Sequence, residues 1–342
     1  MTALGILWFF LIFLLIAGYF VLDGFDLGAG VLYPFIAKTE GEKSIIRRAI
    51  GPVWDGNEVW LLTAGGALFA AFAPAYATTF SGFYLAIMLV LFGLILRAVS
   101  VEFAARDRAW SKVWDVCFFV GSLLPALLLG VAVGNIYAGI PMDAAGNYNG
   151  VPLLGLVTPF TLLCGLLGLA MFCCAGASWI ALKAPETSQL RDRATKMRAV
   201  LQGIALLIFV FVSLYGHFII RPMMVPELNI VRWVCVIVFL LGMVLGLHWG
   251  RDERRDIHVF VAQSAAAVGL TFLCATSMFP NLVVASADSI GPAITVATAA
   301  SSELALTWMT GIACIGVPLV LVYHVIVYRT FRGRVSEDEP QH

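Results

Sequence analysis

Charge is scarce in this chain. Only 12% of its 342 residues are Asp, Glu, Lys or Arg, about half the share of a typical soluble domain. Hydrophobic residues make up 61%, and the mean hydropathy is +0.94. The shortage of charge excludes a water-soluble globular enzyme, and the apolar richness excludes disorder, which needs low hydrophobicity. Neither sign is in surplus: 21 basic residues balance 21 acidic ones, which excludes a basic nucleic-acid-binding protein. Cysteine chemistry is lacking too. Cys117, Cys164, Cys173, Cys174, Cys235, Cys274 and Cys314 all lie in apolar runs, without C-x-x-C spacing or a His at zinc distance. They read as small buried apolar side chains, and a disulfide framework is not expected. No Walker, Rossmann or zinc motif is present.

What the sequence does have is long apolar runs. Crossing a bilayer takes about 20 mostly apolar residues. Nine segments are predicted to span: Leu4–Leu22, Val59–Ala73, Thr78–Leu96, Val116–Asn135, Leu154–Trp179, Ala199–Ile220, Trp233–Trp249, Val259–Met278 and Leu304–Tyr328. The second is short and is extended back through Trp54. The first lacks a basic leader and is too long for a cleaved signal, so it is expected to stay as helix one. Lys and Arg set the orientation. Nineteen of the 21 fall in alternate connections, after spans one, three, five and seven and in the tail; only Arg221 and Arg232 fall on the other side. The expected fold is an all-α bundle of nine transmembrane helices in one membrane domain, residues 1–342, with the N-terminus outside and the C-terminus cytoplasmic. The loops are too short to fold separately, and those at 136–152 and 281–303 are rich in Gly, Ala and Ser.

Ionisable groups near or inside a membrane are costly and usually functional. Here they cluster in the first third of the chain. Asp23-Gly-Phe-Asp-Leu-Gly-Ala-Gly30 closes the first span at its cytoplasmic end, where acids oppose the helix dipole. If the helix continues, Asp23 and Asp26 share a face, and the glycines permit close packing or a break. Trp54-Asp-Gly-Asn-Glu-Val-Trp60 opens the second span. Asp55 and Glu58 have the spacing of a capping box, and Trp54 and Trp60 suit interface anchors. Arg97, at the cytoplasmic end of span three, is the natural counter-ion for Asp23 or Asp26. Two acidic pairs converging on one membrane face also suit a proton entry site, because carboxylates held close together titrate as a coupled set.

Two other readings stay open on the residues alone. A proton-coupled secondary transporter would place its acids near the midplane, often in repeated halves; here they lie at one face and no repeat is visible. A structural scaffold would leave the acids as helix caps. Haem ligation inside a bundle needs His, Met or Cys facing the core. His342 is in the tail, His248, His258 and His324 stand at cytoplasmic helix ends where snorkelling explains them, and only His217 could be a ligand. No metal site is expected.

The motifs also carry a resemblance. Asp23–Gly30, then Pro52-Val-Trp-Asp-Gly-Asn-Glu-Val-Trp60 and Gly65-Gly-Ala-Leu-Phe-Ala70, resemble subunit II of the cytochrome bd-type quinol oxidases, which include the cyanide-insensitive oxidases. Phe80-Ser-Gly-Phe-Tyr84, Leu96-Arg97, Gly130-Val-Ala-Val-Gly-Asn135 and Ala300-Ser-Ser-Glu-Leu-Ala-Leu-Thr-Trp-Met309 extend it over nearly the whole chain. The chain departs at Thr295-Val-Ala-Thr-Ala299, where many relatives carry a Trp-Asp-Ala stretch. The resemblance implies a haem-free subunit of the bacterial cytoplasmic membrane, paired with a subunit I that holds two b haems, haem d and the quinol-oxidising loop. A small accessory subunit, lipid and a bound quinone near Trp54 and Trp60 are further expected contacts. It also implies that Asp55 serves cytoplasmic proton uptake and that Asp26 and Arg97 serve the proton path or haem-site integrity. On this reading Asp55 and Glu58 are expected to receive protons, Asp26 and Asp23 to line the route, and Arg97 to set their charge balance.

Overall fold

The computed structural model describes residues 1–335 apart from Ala105, Met223 and Arg251, and apart from the side chains of Arg108 and Glu253. His342, and Arg251 of the basic set, therefore lie outside the described residues. Twelve helices follow in order: α1 Ala3–Ile36, α2 Glu40–Ile50, α3 Trp54–Ala71, α4 Ala73–Gly82, α5 Tyr84–Phe103, α6 Ser111–Ala138, α7 Pro159–Lys183, α8 Gln189–Tyr215, α9 Asn229–Trp249, α10 Asp256–Met278, α11 Val296–Ala299 and α12 Glu303–Thr330. Strands β1 Asn281–Val283 and β2 Ile294–Thr295 pair antiparallel. Among the described residues, eight helices are long and apolar enough to cross a membrane: α1, α5, α6, α7, α8, α9, α10 and α12. The α3 helix has 18 residues but is diluted by Asp55, Asn57 and Glu58 in its first turns.

The sequence reading closed the first span at the Asp23–Gly30 motif, and the structure corrects this. The α1 helix continues for 34 residues, about 51 Å at 1.5 Å per residue. Asp23 therefore lies about 30 Å from the first turn and thirteen residues before the end, so its carboxylate does not oppose a helix terminus. All faces of α1 from Asp23 to Tyr33 are buried, because α3, α6, α7 and α10 pack around it.

Glycine makes that crowding possible on the α7 side. A Cβ on Gly28 would lie 1.8 Å from the Phe172 carbonyl oxygen, and one on Gly176 would lie 2.3 Å from the Ala29 nitrogen. The two backbones touch, as small residues allow between membrane helices. Phe25 stacks on Trp179 at 4.3 Å between ring centroids, just beyond this crossing.

Other boundaries moved for local reasons. The span read as Thr78–Leu96 is broken at Phe83, which has φ −97° and ψ 14°, into α4 and α5. The span read from Leu154 begins at Pro159, where Thr158 and Thr161 form a reciprocal cap; Leu154–Leu156 is a 3₁₀ turn. The small-residue connections at 136–152 and 281–303 are not featureless. Besides the β1–β2 pair, single bridges join Ile140 to Ala285 and Met142 to Tyr148.

The α2 helix was not expected. Its signal was present: Thr39 accepts from the Glu42 backbone at 3.2 Å, and Glu42 accepts from the Lys38 and Thr39 backbones at 2.6 and 3.2 Å, the reciprocal cap of a helix start. Arg193, which also donates to the Ile36 carbonyl at 2.7 Å, pairs with Glu42. Lys43 binds Asp115 at 2.7 Å, and Arg47 binds both Asp115 and the Tyr33 hydroxyl. These bonds gather the end of α1 and the starts of α6 and α8 at one end of the bundle. The end of α12 joins them, since Lys183 donates to the Phe331 and Gly333 carbonyls. At the other end, Trp8 donates to the Leu306 carbonyl at 3.3 Å, and Ser301 donates to the Ala71 carbonyl at 2.9 Å. The chain's first helix and last helix thus place their free ends at opposite ends of the bundle.

Two outcomes follow from these contacts. Gly28→Val overpacks the α1–α7 crossing, which costs about 1–3 kcal/mol; it is expected to lower the thermal midpoint of the purified protein. Gly66→Ala, inside α3 with open space around it, does not lower that midpoint, since Ala is the better helix former. Glu42 supplies a pH dependence. Burial works against its carboxylate, but the Lys38 backbone and Arg193 outweigh burial and hold it below the usual carboxylate range. Its contribution is therefore present above about pH 4.3, the ordinary value, and fades as pH falls through the lower folded value. Glu42→Gln should lower the thermal midpoint at pH 7, and the difference from wild type should shrink as pH falls below the ordinary carboxylate range.

Candidate functional site

Four helices bring polar side chains to one level of the bundle. The α1 helix supplies Asp23 and Asp26, both with no exposed surface. The α5 helix supplies Arg97, 1% exposed. The α3 helix supplies Asn57 and Glu58, and α12 supplies His324 and Tyr328. Arg97 Nη2 donates to Asp23 Oδ1 at 2.6 Å and also to Glu58 Oε1. One guanidinium nitrogen thus ties α1 to α3 from a third helix. The counter-ion expected for Asp23 or Asp26 is bonded to Asp23.

Asp26 has a different partner. Asn57 Nδ2 donates to Asp26 Oδ2 at 2.7 Å and to the Leu22 carbonyl at 3.2 Å. The Asn57 amide oxygen accepts from the Tyr328 hydroxyl at 2.9 Å. One turn along α3, Trp60 donates its indole N–H to His324 Nε2 at 3.2 Å, and His324 Nδ1 lies 2.8 Å from the Val320 carbonyl. These bonds require Nδ1 to carry the proton and Nε2 to accept, so the imidazole is neutral in this arrangement.

Burial of the carboxyl groups is graded. Asp55 is exposed, Glu58 half-buried, and Asp23 and Asp26 fully enclosed. Three clustered carboxyls, Asp23, Asp26 and Glu58, share one guanidinium. Asp23 Oδ2, Asp26 Oδ1, Arg97 Nε and Arg97 Nη1 are buried without a hydrogen-bond partner among the described residues. Buried polar atoms are ordinarily paired, and such atoms in one cluster mark a place suited to water or a transferable proton.

Several sequence expectations are revised. Asp55 and Glu58 do not cap α3: its N-cap is Val53, with no side-chain cap bond, and Glu58 turns to Arg97 instead. Asp55 stands on the first turn outside the cluster. Trp54 is half-buried, whereas Trp60 is buried with its N–H committed to His324, so Trp60 does not act as an interface anchor. His324 does not snorkel; it lies inside, beside Trp60. His217 is exposed, as are His248 and His258. Among the described residues no group of three or more His, Cys, Asp or Glu is placed to hold a metal. Sequence reasoning gave no role to Asn57 or Tyr328. Asn57 sits inside the Trp54–Trp60 motif, which was a usable signal; Tyr328, 271 residues away, offered none.

Arg97→Met would strand Asp23 and Glu58. Breaking one side of a buried ion pair typically costs about 3–5 kcal/mol, so loss of assembled protein is expected. Adding Asp23→Asn should recover part of that loss, read as a positive coupling in a double-mutant cycle of thermal stability.

Residues 4–331 match the family described as cytochrome bd terminal oxidase subunit II. The chain is 37% identical to cytochrome bd ubiquinol oxidase subunit 2 of Bacillus subtilis, over 99% of each chain. It is 32% identical to cytochrome bd-I ubiquinol oxidase subunit 2 of Escherichia coli K12, over 98% of this chain and 96% of that one. A probable cytochrome oxidase subunit 2 of Haemophilus influenzae is 34% identical over the same shares. The fold is similar to a chain of the bd oxidase structure from Geobacillus thermodenitrificans, with a TM-score of 0.75 at 16% identity over 96% of this chain and 99% of that one. With its polytopic helical bundle and its near-complete match to these relatives, the chain belongs to the cytochrome bd terminal oxidase subunit II family, as a non-catalytic membrane subunit of an oxidoreductase complex.

Proposed function

We propose that this chain is the haem-free subunit II that braces subunit I of a quinol:dioxygen oxidoreductase in the bacterial cytoplasmic membrane, and that it carries part of the proton-uptake route. In that complex, quinol supplies electrons to dioxygen and water forms. The consumed protons enter from the cytoplasm, and those of the quinol leave on the outer side. Haems b and d of subunit I supply the oxygen chemistry. A quinone against Trp54, a small accessory subunit and bound lipid are further contacts of this assembly.

The observation that carries the reading is the graded series of carboxyls. Asp55 lies at the surface, Glu58 follows three residues on and half-buried, and Arg97 links Glu58 to enclosed Asp23, one turn from Asp26. A proton taken at Asp55 reaches Glu58 on the same helical face. Asp23 and Asp26 then line the interior end, and Arg97 sets the charge balance of the set.

The orientation rests on the basic residues. Lys43, Arg47, Lys183, Arg193 and Arg334 gather at the end of the bundle nearest the acids, and basic residues favour the cytoplasm. The N-terminus is then outside and the C-terminus inside, which an odd number of crossings requires. The α3 helix supplies the ninth. Asn57 lies beside Leu22 and Asp26, Trp60 beside Gly18, and Ala71 clusters with Phe9. It therefore runs antiparallel to α1 over 18 residues, about 27 Å, close to the hydrocarbon thickness.

The histidines support the haem-free reading. Of the four described, three are exposed and His324 has both ring nitrogens engaged, so none presents a free nitrogen to the bundle interior as an axial ligand would.

Asp55→Asn is expected to slow quinol-driven oxygen uptake while the complex assembles with its full haem content. Asp26→Asn should slow it further, toward the roughly hundredfold loss typical when a proton-transferring group is removed. Wild-type uptake in both variants would leave the acids as structural groups.

A further inference from the structure

Asn57 is the joint through which α12 reaches Asp26. A side-chain amide has two N–H donors on nitrogen and an acceptor oxygen. Here the nitrogen serves α1, at Asp26 Oδ2 and the Leu22 carbonyl, and the oxygen serves α12, at the Tyr328 hydroxyl. Turning the amide over would set its oxygen against a carboxyl and a carbonyl, so Asn57 has one favourable orientation. The hydroxyl that Tyr328 donates marks which side the oxygen occupies. Packing fixes that hydroxyl in turn. The Tyr328 ring stacks on His324 and meets Trp179 edge-on at 5.8 Å, and His324 is itself held by Trp60.

The consequence falls on the two oxygens of Asp26. Oδ2 already accepts the Asn57 amide. Oδ1 is buried without a partner among the described residues, so a proton residing on Asp26 sits on Oδ1. We propose that Tyr328 is a positioning residue that acts through Asn57 to fix which Asp26 oxygen receives the proton. This inference rests on the proposed route through Asp26.

The test uses the purified, complete oxidase complex. Redox-induced infrared difference spectra with isotope-labelled aspartate read the carboxyl stretch, and uptake of oxygen with a soluble quinol reads turnover. Asp26→Asn should remove one carboxyl band. Tyr328→Phe keeps the ring and loses the donor. It should retain that band but displace or double it, and lower turnover about two- to tenfold, the loss that one hydrogen bond implies, with haem content unchanged. Tyr323→Phe, an exposed tyrosine on the same helix, should match wild type in both readouts. If Tyr328→Phe fails to assemble, Asn57→Ser must displace the same band.

A wild-type band in Tyr328→Phe, or in Asn57→Ser where that variant is needed, overturns the positioning role. Loss of the band and of turnover in Asp26→Asn would still leave the route standing. Wild-type turnover and spectrum in Asp26→Asn overturn the route, and with it the positioning role.

Discussion

A single guanidinium fixes the arrangement on which the rest depends. Arg97 is enclosed, and its Nη2 atom bonds Asp23 of α1 and Glu58 of α3. A charge out of water is tolerated only when paired and hydrogen-bonded. The three helices cannot move independently without exposing that cost, so their mutual register is set by charge at one level. Below that level, where α1 and α7 touch backbone to backbone at Gly28 and Gly176, register is set by shape. The two constraints act on the same stretch of α1, which explains why an acidic motif and a glycine motif are interleaved in Asp23–Gly30.

The cluster is unlike an ordinary structural ion pair in its stoichiometry. A structural pair matches one acid to one base and saturates the remaining atoms. Here two carboxyls bond one guanidinium, a third lies one turn along α1, and buried polar atoms on Asp23, Asp26 and Arg97 remain without partners among the described residues. The contrast with Asp115 is instructive. That carboxylate, closer to the bundle end, is met by Tyr33, Lys43 and Arg47, so both of its oxygens are paired. Asp115 serves as a clamp, whereas the interior set is left with buried polar atoms to satisfy.

The bilayer made much of this legible from the sequence. Eight long apolar helices were readable because hydrocarbon demands about twenty apolar residues in a row, a signal that survives without any knowledge of packing. The α3 helix was read with the same tool but is diluted by Asp55, Asn57 and Glu58, and what places it is the run of contacts with α1. Charges that break apolar runs stand out by their cost, which is why Asp23, Asp26, Glu58 and Arg97 could be singled out. The partners that satisfy them could not. Tyr328 and His324 look like ordinary residues of an apolar helix, and only the fold brings them to Asn57 and Trp60. The capping reading of Asp55 and Glu58 failed because a local pattern competed with a distant cation, and the cation won. The α2 helix is short and polar, so no apolar run marks it, and its only local signal is the Thr39–Glu42 cap.

The α12 helix adds a temporal dimension. Its outward side is largely bare, with Trp308, Ile312, Ile315 and Leu319 exposed, and it is tied to the bundle by polar bonds towards its two ends: Trp8 near the start, and Trp60 and Asn57 one turn apart near the finish. It is synthesised after the helices it joins. Until it arrives, the Asn57 amide oxygen and the Trp60 indole N–H lack the partners it brings, so a chain cut short before residue 320 presents unpaired polar groups inside the membrane. The seating of α12 and the closure of the polar cluster are therefore one and the same event.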